Sequence, residues 1–150
     1  MRFAVTLIGV VCIAFVVIGC GGSEDDTIAK SEYVERADAI CGKAEAKRDA
    51  AVKAAVRAQK EVGKVSTQSF GERLVVDVAL PPLEQMTEEL ADLDQPKDGA
   101  SDAEAMVTSF EAGIEQAEDE PAEILNGTVD PFKDAKRDAS ALGLKECSQL

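Results

Sequence analysis

Apolar residues in the part of the chain after residue 30 recur at steps of three and four, the spacing of one face of an α-helix. The first such segment follows Ser31, a residue suited to an N-cap, and runs to about Gly63. Its apolar positions are Tyr33, Ala37, Ile40, Cys41, Ala44, Ala51, Ala55 and Val62. The pattern predicts a long first helix whose alanine-rich face lets a neighbouring helix approach closely.

A second helical pattern is interrupted by two prolines. Apolar residues continue at steps of four from Phe70 to Leu90, across Pro81 and Pro82. Proline lacks an amide donor and clashes with the preceding turn. We therefore expect a strong kink or two short helices, with Pro82 near the start of the second. Residues 94–100 contain a proline and a glycine and are predicted to form a loop.

Two further helical patterns complete the chain. Ser101 and Glu104 match a capping box at the start of the third pattern, which Pro121 should kink or end. The fourth should begin at Asp130 and Pro131. It should end at Gly143 in a left-handed cap, over which Leu144 closes.

These elements indicate an all-α fold, an antiparallel bundle of about four helices with proline kinks that occupies residues 31–150. An up-down-up-down order would return the end of the chain to the start of the first helix. Cys41 and Cys147 would then lie near each other. Because no other cysteine follows Cys20, we predict that these two form one disulfide that closes the bundle. A regulatory thiol pair is the alternative.

The beginning of the chain has the features of a secretory leader. Arg2 precedes an almost wholly apolar run from Phe3 to Gly19. Valine, isoleucine and glycine then lead to Cys20, in an order that resembles the lipobox of bacterial lipoproteins. The resemblance implies lipidation of the Cys20 sulfur after cleavage. We therefore assign residues 1–19 to a signal peptide and 20–30 to a lipidated flexible tether.

An uncleaved transmembrane helix is the alternative for this leader. Its apolar run would be about 25 Å long at about 1.5 Å per residue, which is shorter than the roughly 30 Å hydrocarbon core of a bilayer. By the positive-inside tendency, Arg2 would still leave the domain outside the membrane. Either interpretation predicts an extracytoplasmic domain held at the cell membrane.

The net charge limits the classes of partner that the protein can bind. The chain has a net charge of −13, and loss of residues 1–19 would bring it to −14. Such a surface repels nucleic acid and anionic lipid headgroups, so the membrane contact should be the lipid alone. A basic partner or a cation is the class that the charge favours, with a merely solubilising acidic face as the plainer interpretation.

Two ends of the domain resemble a family. The lipobox, the stretch from Tyr33 to Cys41 and the stretch from Leu142 to Cys147 resemble small, uncharacterised, helical lipoproteins of actinobacteria. The resemblance implies a disulfide and an envelope location. It brings no activity and no catalytic residues.

The residues needed for most catalytic and cofactor chemistry are missing. Histidine is absent, which removes histidine-based triads, and glycine-rich phosphate loops and zinc spacings are not found. Acidic candidates for calcium are Asp92, Asp94 and Asp98 beside Gly99, and Glu118–Glu120, but their spacing does not match a calcium loop. Met86 and Met106 could be soft metal ligands, although helical spacing favours the core.

We therefore expect that the protein is not an enzyme and uses no cofactor or metal. We predict instead a lipid-anchored envelope protein that is a non-catalytic binding or interaction module. Its partner would be a protein or a cell-wall component, not nucleic acid. The alternative is a carrier of a small ligand or a divalent cation.

Overall fold

The computed structural model describes residues 27–62 and 66–150, and this part of the chain is mostly helical. The elements in chain order are β1 (Thr27–Ile28), α1 (Lys30–Val62), α2 (Thr67–Arg73), a π-helical turn (Leu74–Ala79), α3 (Pro81–Ala91), β2 (Gln95–Pro96), α4 (Ala100–Asp119), α5 (Pro121–Leu125), α6 (Lys133–Leu142) and a final 3-10 turn (Cys147–Gln149). Within the described residues, no helix is both long enough and apolar enough to cross a bilayer.

Helix α1 is about 50 Å long at about 1.5 Å per residue and carries the predicted alanine stripe. Tyr33, Ala37, Cys41 and Ala44 are buried along its first half. Ser31 is not the N-cap that the sequence predicts, because it lies inside the first turn. The carbonyl of Ala29 instead accepts the first helical hydrogen bonds, from the amides of Glu32 and Tyr33.

The two prolines divide the second helical segment as predicted. Pro81 and Pro82 occupy the first turn of α3, where a missing amide costs nothing. Before them the helix widens into the π turn, and the Leu80 amide donates to the carbonyl of Val75, five residues back. π turns occur mostly as single-turn bulges inside α-helices and, like proline, are a recognised cause of sharp helix kinks.

The loop between α3 and α4 holds a short parallel pairing that the sequence does not predict. Thr27 pairs with Gln95 and Ile28 with Pro96, and the Lys97 amide donates to the Ile28 carbonyl at 2.9 Å. The folded domain therefore includes residues 27–30, which from the sequence alone belong to the predicted tether.

The predicted capping box of α4 does not form. Helix α4 begins at Ala100, one residue before Ser101, and its cap is Gly99 in the left-handed region at φ +95°. The helix starts early because Gly99 supplies this conformation without steric cost. Ser101 then lies within the first turn, where it cannot act as an N-cap.

The later stop signals fall where the sequence places them, but α6 begins at Lys133, later than the predicted start at Asp130 and Pro131. Helix α4 ends at Asp119, and Pro121 opens α5. Asp130 accepts the Phe132 amide through its carboxylate, just before α6. At the other end, Gly143 has φ +93° and the Leu144 amide reaches the Ala139 carbonyl at 2.9 Å, the Schellman arrangement with Leu144 buried over it.

The core lies where α1, α3, α4 and α6 meet. Helix α3 packs along α1, and α4 packs along both α3 and α6. The largest buried side chains are Tyr33, Leu80, Met86, Leu90, Met106, Phe110 and Leu144. This core confirms that both candidate methionines are packing residues.

Candidate functional site

The predicted disulfide between Cys41 and Cys147 is present. It joins the first half of α1 to the final 3-10 turn across 106 residues, with the two Cα atoms 5.1 Å apart. Both cysteines are fully buried, which favours a structural bond over an accessible regulatory thiol pair. Cys20, the predicted lipidation site, lies outside the described residues.

Asp38 holds the chain end beside this disulfide. Its two carboxylate oxygens accept the backbone amides of Lys145 and Glu146 at 3.1 and 3.0 Å. These amides begin the turn that carries Cys147, so Asp38 positions the last segment against α1. Sequence alone did not single out Asp38, because its partners lie more than 100 residues away.

Tyr33 corrects a sequence expectation. Its place among the apolar positions of the first helix predicts a packed ring with a solvent-exposed hydroxyl. The side chain is fully buried, and its hydroxyl has no hydrogen-bond partner among the described residues. Burial raises the pKa of Tyr33 above its ordinary value. The hydroxyl therefore stays protonated at neutral pH.

Negative charge is concentrated on one part of the fold. Residues 81–130 contain fifteen Asp and Glu and a single lysine, Lys97. Residues 27–50, by contrast, contain five acidic and five basic residues. Nearly all of the net charge of the chain therefore belongs to α3, α4, α5 and their connections.

An open groove lies between α3 and α4, and we call it the acidic groove. Its walls are two rows of carboxylates, and Thr87, Ala91 and Ile114 lie between them. Steps of three and four residues place the members of each row on one face of their helix. The row on α3 is Glu84, Glu88 and Asp92, where Asp92 directly follows the helix, and the row on α4 is Glu111, Glu115 and Glu118.

The groove carboxylates have no basic partner among the described residues. No lysine or arginine nitrogen there lies within 4.0 Å of any of the six. Acidic residues that face α1 differ, since Glu89 pairs with Lys43 at 3.2 Å and Asp94 with Arg36 at 3.7 Å. The six carboxylates of the groove therefore form no salt bridge within the described chain.

The acidic residues that are candidate calcium ligands in the sequence do not lie together in the structure. Asp92 lines the acidic groove, while Asp94 is paired with Arg36. Glu118 also lines the groove, whereas Glu120 accepts a hydrogen bond from Gln116. Across residues 27–62 and 66–150, no three His, Cys, Asp or Glu side chains lie close enough together to hold a metal ion.

The acidic charge is visible in the sequence, but the groove is not. The spacing of Glu84, Glu88 and Asp92 was visible as one helical row. The sequence does not predict how α3 and α4 are rotated about their axes, because that rotation depends on packing in the core. It is this rotation that turns the two rows towards each other.

Comparison of the chain with protein-family models, curated protein sequences and solved structures finds no match. The resemblance to small actinobacterial lipoproteins therefore stays a prediction from the residues that carry it.

Proposed function

We propose that the chain is a lipid-anchored, extracytoplasmic interaction module without catalytic activity, and that it binds a lysine- and arginine-rich segment of an envelope partner. The observation that carries the proposal is the acidic groove, in which two rows of unpaired carboxylates face each other. A protein segment is the partner that we favour among the protein and cell-wall classes.

The anchor follows from the leader and from Cys20. Attachment of two or three acyl chains to one residue gives firm membrane binding, since each buried methylene contributes about 0.8 kcal/mol. The Cys41–Cys147 bond supports an oxidising location outside the cytoplasm.

We further propose that the helices form an antiparallel bundle. Support comes from side-chain contacts between α1 and α3, in which a higher residue number on α1 goes with a lower residue number on α3. Lys43 contacts Glu89, and Lys47 donates to Gln85 at 2.9 Å. In this arrangement β1 and the disulfide share one pole, and the lipid would hold that pole towards the membrane.

Groove chemistry suits a basic helix or extended strand. Lysine and arginine heads would meet the carboxylate rows, while their methylene stems cover Ala91 and Ile114. Charge-assisted hydrogen bonds contribute about 1.5–3 kcal/mol each. Binding also relieves the repulsion between the rows, so the affinity should fall steeply as salt concentration rises.

Titration calorimetry with the full-length chain in detergent tests the groove, with a lysine- and arginine-rich peptide of about ten residues as the probe. The double variant Glu88→Gln with Glu115→Gln should weaken binding about tenfold or more, since two charged contacts are lost. The matched control, Glu35→Gln with Glu104→Gln, removes the same charge from exposed positions outside the groove and should change affinity less than about twofold.

Equal weakening by both double variants would show general attraction to an acidic surface and would contradict the groove. Calcium titrated under the same conditions provides a second discrimination. Stoichiometric calcium binding that the groove variant abolishes, without peptide binding, would support the alternative of a cation carrier.

A further inference from the structure

At the end of α1 away from Cys41, the apolar side chains of α2 and the π turn are only half-buried among the described residues. None of the residues of α2, the π turn or α5 is buried. A second groove, which we call the distal groove, opens between α1 and the α2–π segment. Ala58 lies on its α1 side, and Phe70, Leu74 and Val78 lie on the other.

Charges of both signs border this apolar surface. Arg73 and Asp77 line the distal groove, and neither forms an ion pair among the described residues. Arg73 donates only to the backbone carbonyl of Ser69, at 3.3 Å. The groove thus offers one free positive and one free negative group, four residues apart.

The surrounding charge favours a second copy of this chain as the occupant. Residues 51–80 carry five basic and three acidic residues, whereas residues 81–130 carry fifteen acidic residues and one basic residue. Two copies with a net charge of −13 each repel over most of their surfaces. The distal groove lies in the part where that repulsion is smallest and where apolar side chains are only half-buried.

We propose that two copies associate through their distal grooves about a two-fold axis that passes midway between Arg73 and Asp77. An antiparallel crossing of the two α2–π segments places Arg73 of each copy opposite Asp77 of the other, because positions 73 and 77 are symmetric about 75. A two-fold interface uses the same patch on both copies, and one surface with both charge signs can be self-complementary. The association is independent of the acidic groove.

A charge exchange tests the pairing directly. Two differently tagged full-length copies are produced together, and the membranes are solubilised in excess detergent. The amount of one copy captured with the other is then measured. Arg73→Asp or Asp77→Arg in both copies should reduce co-capture about tenfold, since like charges then face each other. The combined exchange should restore it to the unmodified level.

Lys133→Asp and Glu104→Arg are the matched controls, because they reverse a charge at exposed positions outside both grooves and should leave co-capture unchanged. The Cys41–Cys147 bond, followed by thiol labelling, shows that each variant is folded. Absence of capture between unmodified copies, or a combined exchange as weak as the single variants, would overturn the proposal. Failure here leaves peptide binding by the acidic groove untouched, so the two proposals can fail separately.

Discussion

The ring of Phe132 packs directly on the backbone of Gly113. A β-carbon at position 113 would lie 2.7 Å from Phe132 Cδ1 and 2.7 Å from the carbonyl oxygen of Pro131. Phe132 also contacts Phe110, with the ring centroids 6.2 Å apart. The close approach of α4 to the segment before α6 therefore depends on the absence of a side chain at Gly113.

Gly113→Ala should destabilise the domain. Alanine gains about 1 kcal/mol over glycine in a helix, but overpacking costs typically 1–3 kcal/mol, and the Pro131 carbonyl cannot move as a side chain can. We therefore place the cost in the upper part of this range, about 2–3 kcal/mol, and expect a net loss of about 1–2 kcal/mol in the free energy of unfolding, measured by urea denaturation.

Gly71→Ala is the matched control for this prediction. A β-carbon there would lie 2.8 Å from Leu125 Cδ1, but that side chain is 45% exposed and can rotate away. The change should be neutral or stabilise by up to about 1 kcal/mol. Equal destabilisation at both glycines would contradict the steric explanation.

Loss of the disulfide should be the most damaging single change to stability. Replacement of Cys41 and Cys147 by alanine opens a loop of 106 residues, and the chain-entropy model gives about 4–5 kcal/mol for a loop of that size. Urea denaturation of the double variant and of the reduced unmodified chain should agree. A loss below about 1 kcal/mol would mean that the bond contributes little to the fold.

Asp38→Ala should loosen the end of the chain. Two backbone amides lose their acceptor, and at a partly exposed site this should cost about 1–2 kcal/mol. Hydrogen exchange at the Lys145 and Glu146 amides should accelerate. Glu35→Ala removes the same charge from an exposed position one turn earlier, so it should leave both amides protected. Faster exchange in both variants would contradict a specific role for Asp38.

The hydrogen bond between Ser109 and Asp138 should make the free energy of unfolding depend on pH. The Ser109 hydroxyl donates to the Asp138 carboxylate at 2.8 Å, and this bond, helped by Arg137, lowers the pKa of Asp138 below the ordinary 3.8. Because the pKa is lower in the folded state, the stabilisation is complete above about pH 4 and disappears as the pH falls through the lower folded value.

Ser109→Ala should raise the pKa of Asp138 and cost about 1 kcal/mol at neutral pH, with a difference that vanishes in acid. NMR titration of the Asp138 carboxyl carbon measures the pKa, and Thr108→Ala, an exposed neighbour, is the control. An unchanged pKa of Asp138 in the Ser109→Ala variant would contradict this explanation.

Local chemistry explains what the sequence could predict. Pro81, Pro121 and Gly143 act through their own backbone restrictions, so the helix boundaries at these residues could be predicted from the sequence. The caps at Ser31 and Ser101 were wrong because Ala29 and Gly99 begin the helices earlier. A hydroxyl near a helix start is a preference and not a requirement.

Long-range packing accounts for what the sequence missed. The pairing of Thr27 with Gln95 joins two segments of two residues each, too short to show alternation. Burial of the Tyr33 hydroxyl depends on how the other segments pack over the start of α1, and the facing of the two carboxylate rows depends on how α3 and α4 rotate over the core. The Cys41–Cys147 bond could be predicted because no other cysteine was available after Cys20.

Intact mass spectrometry of the chain isolated from the membranes of its own host tests the central claim, that this is an exported, lipid-anchored module. The account predicts a polypeptide that begins at Cys20, carries the mass of a diacylglyceryl group on that residue, and lacks two hydrogens for the Cys41–Cys147 bond. A chain that begins at Met1, carries no acyl mass and keeps free thiols would contradict it.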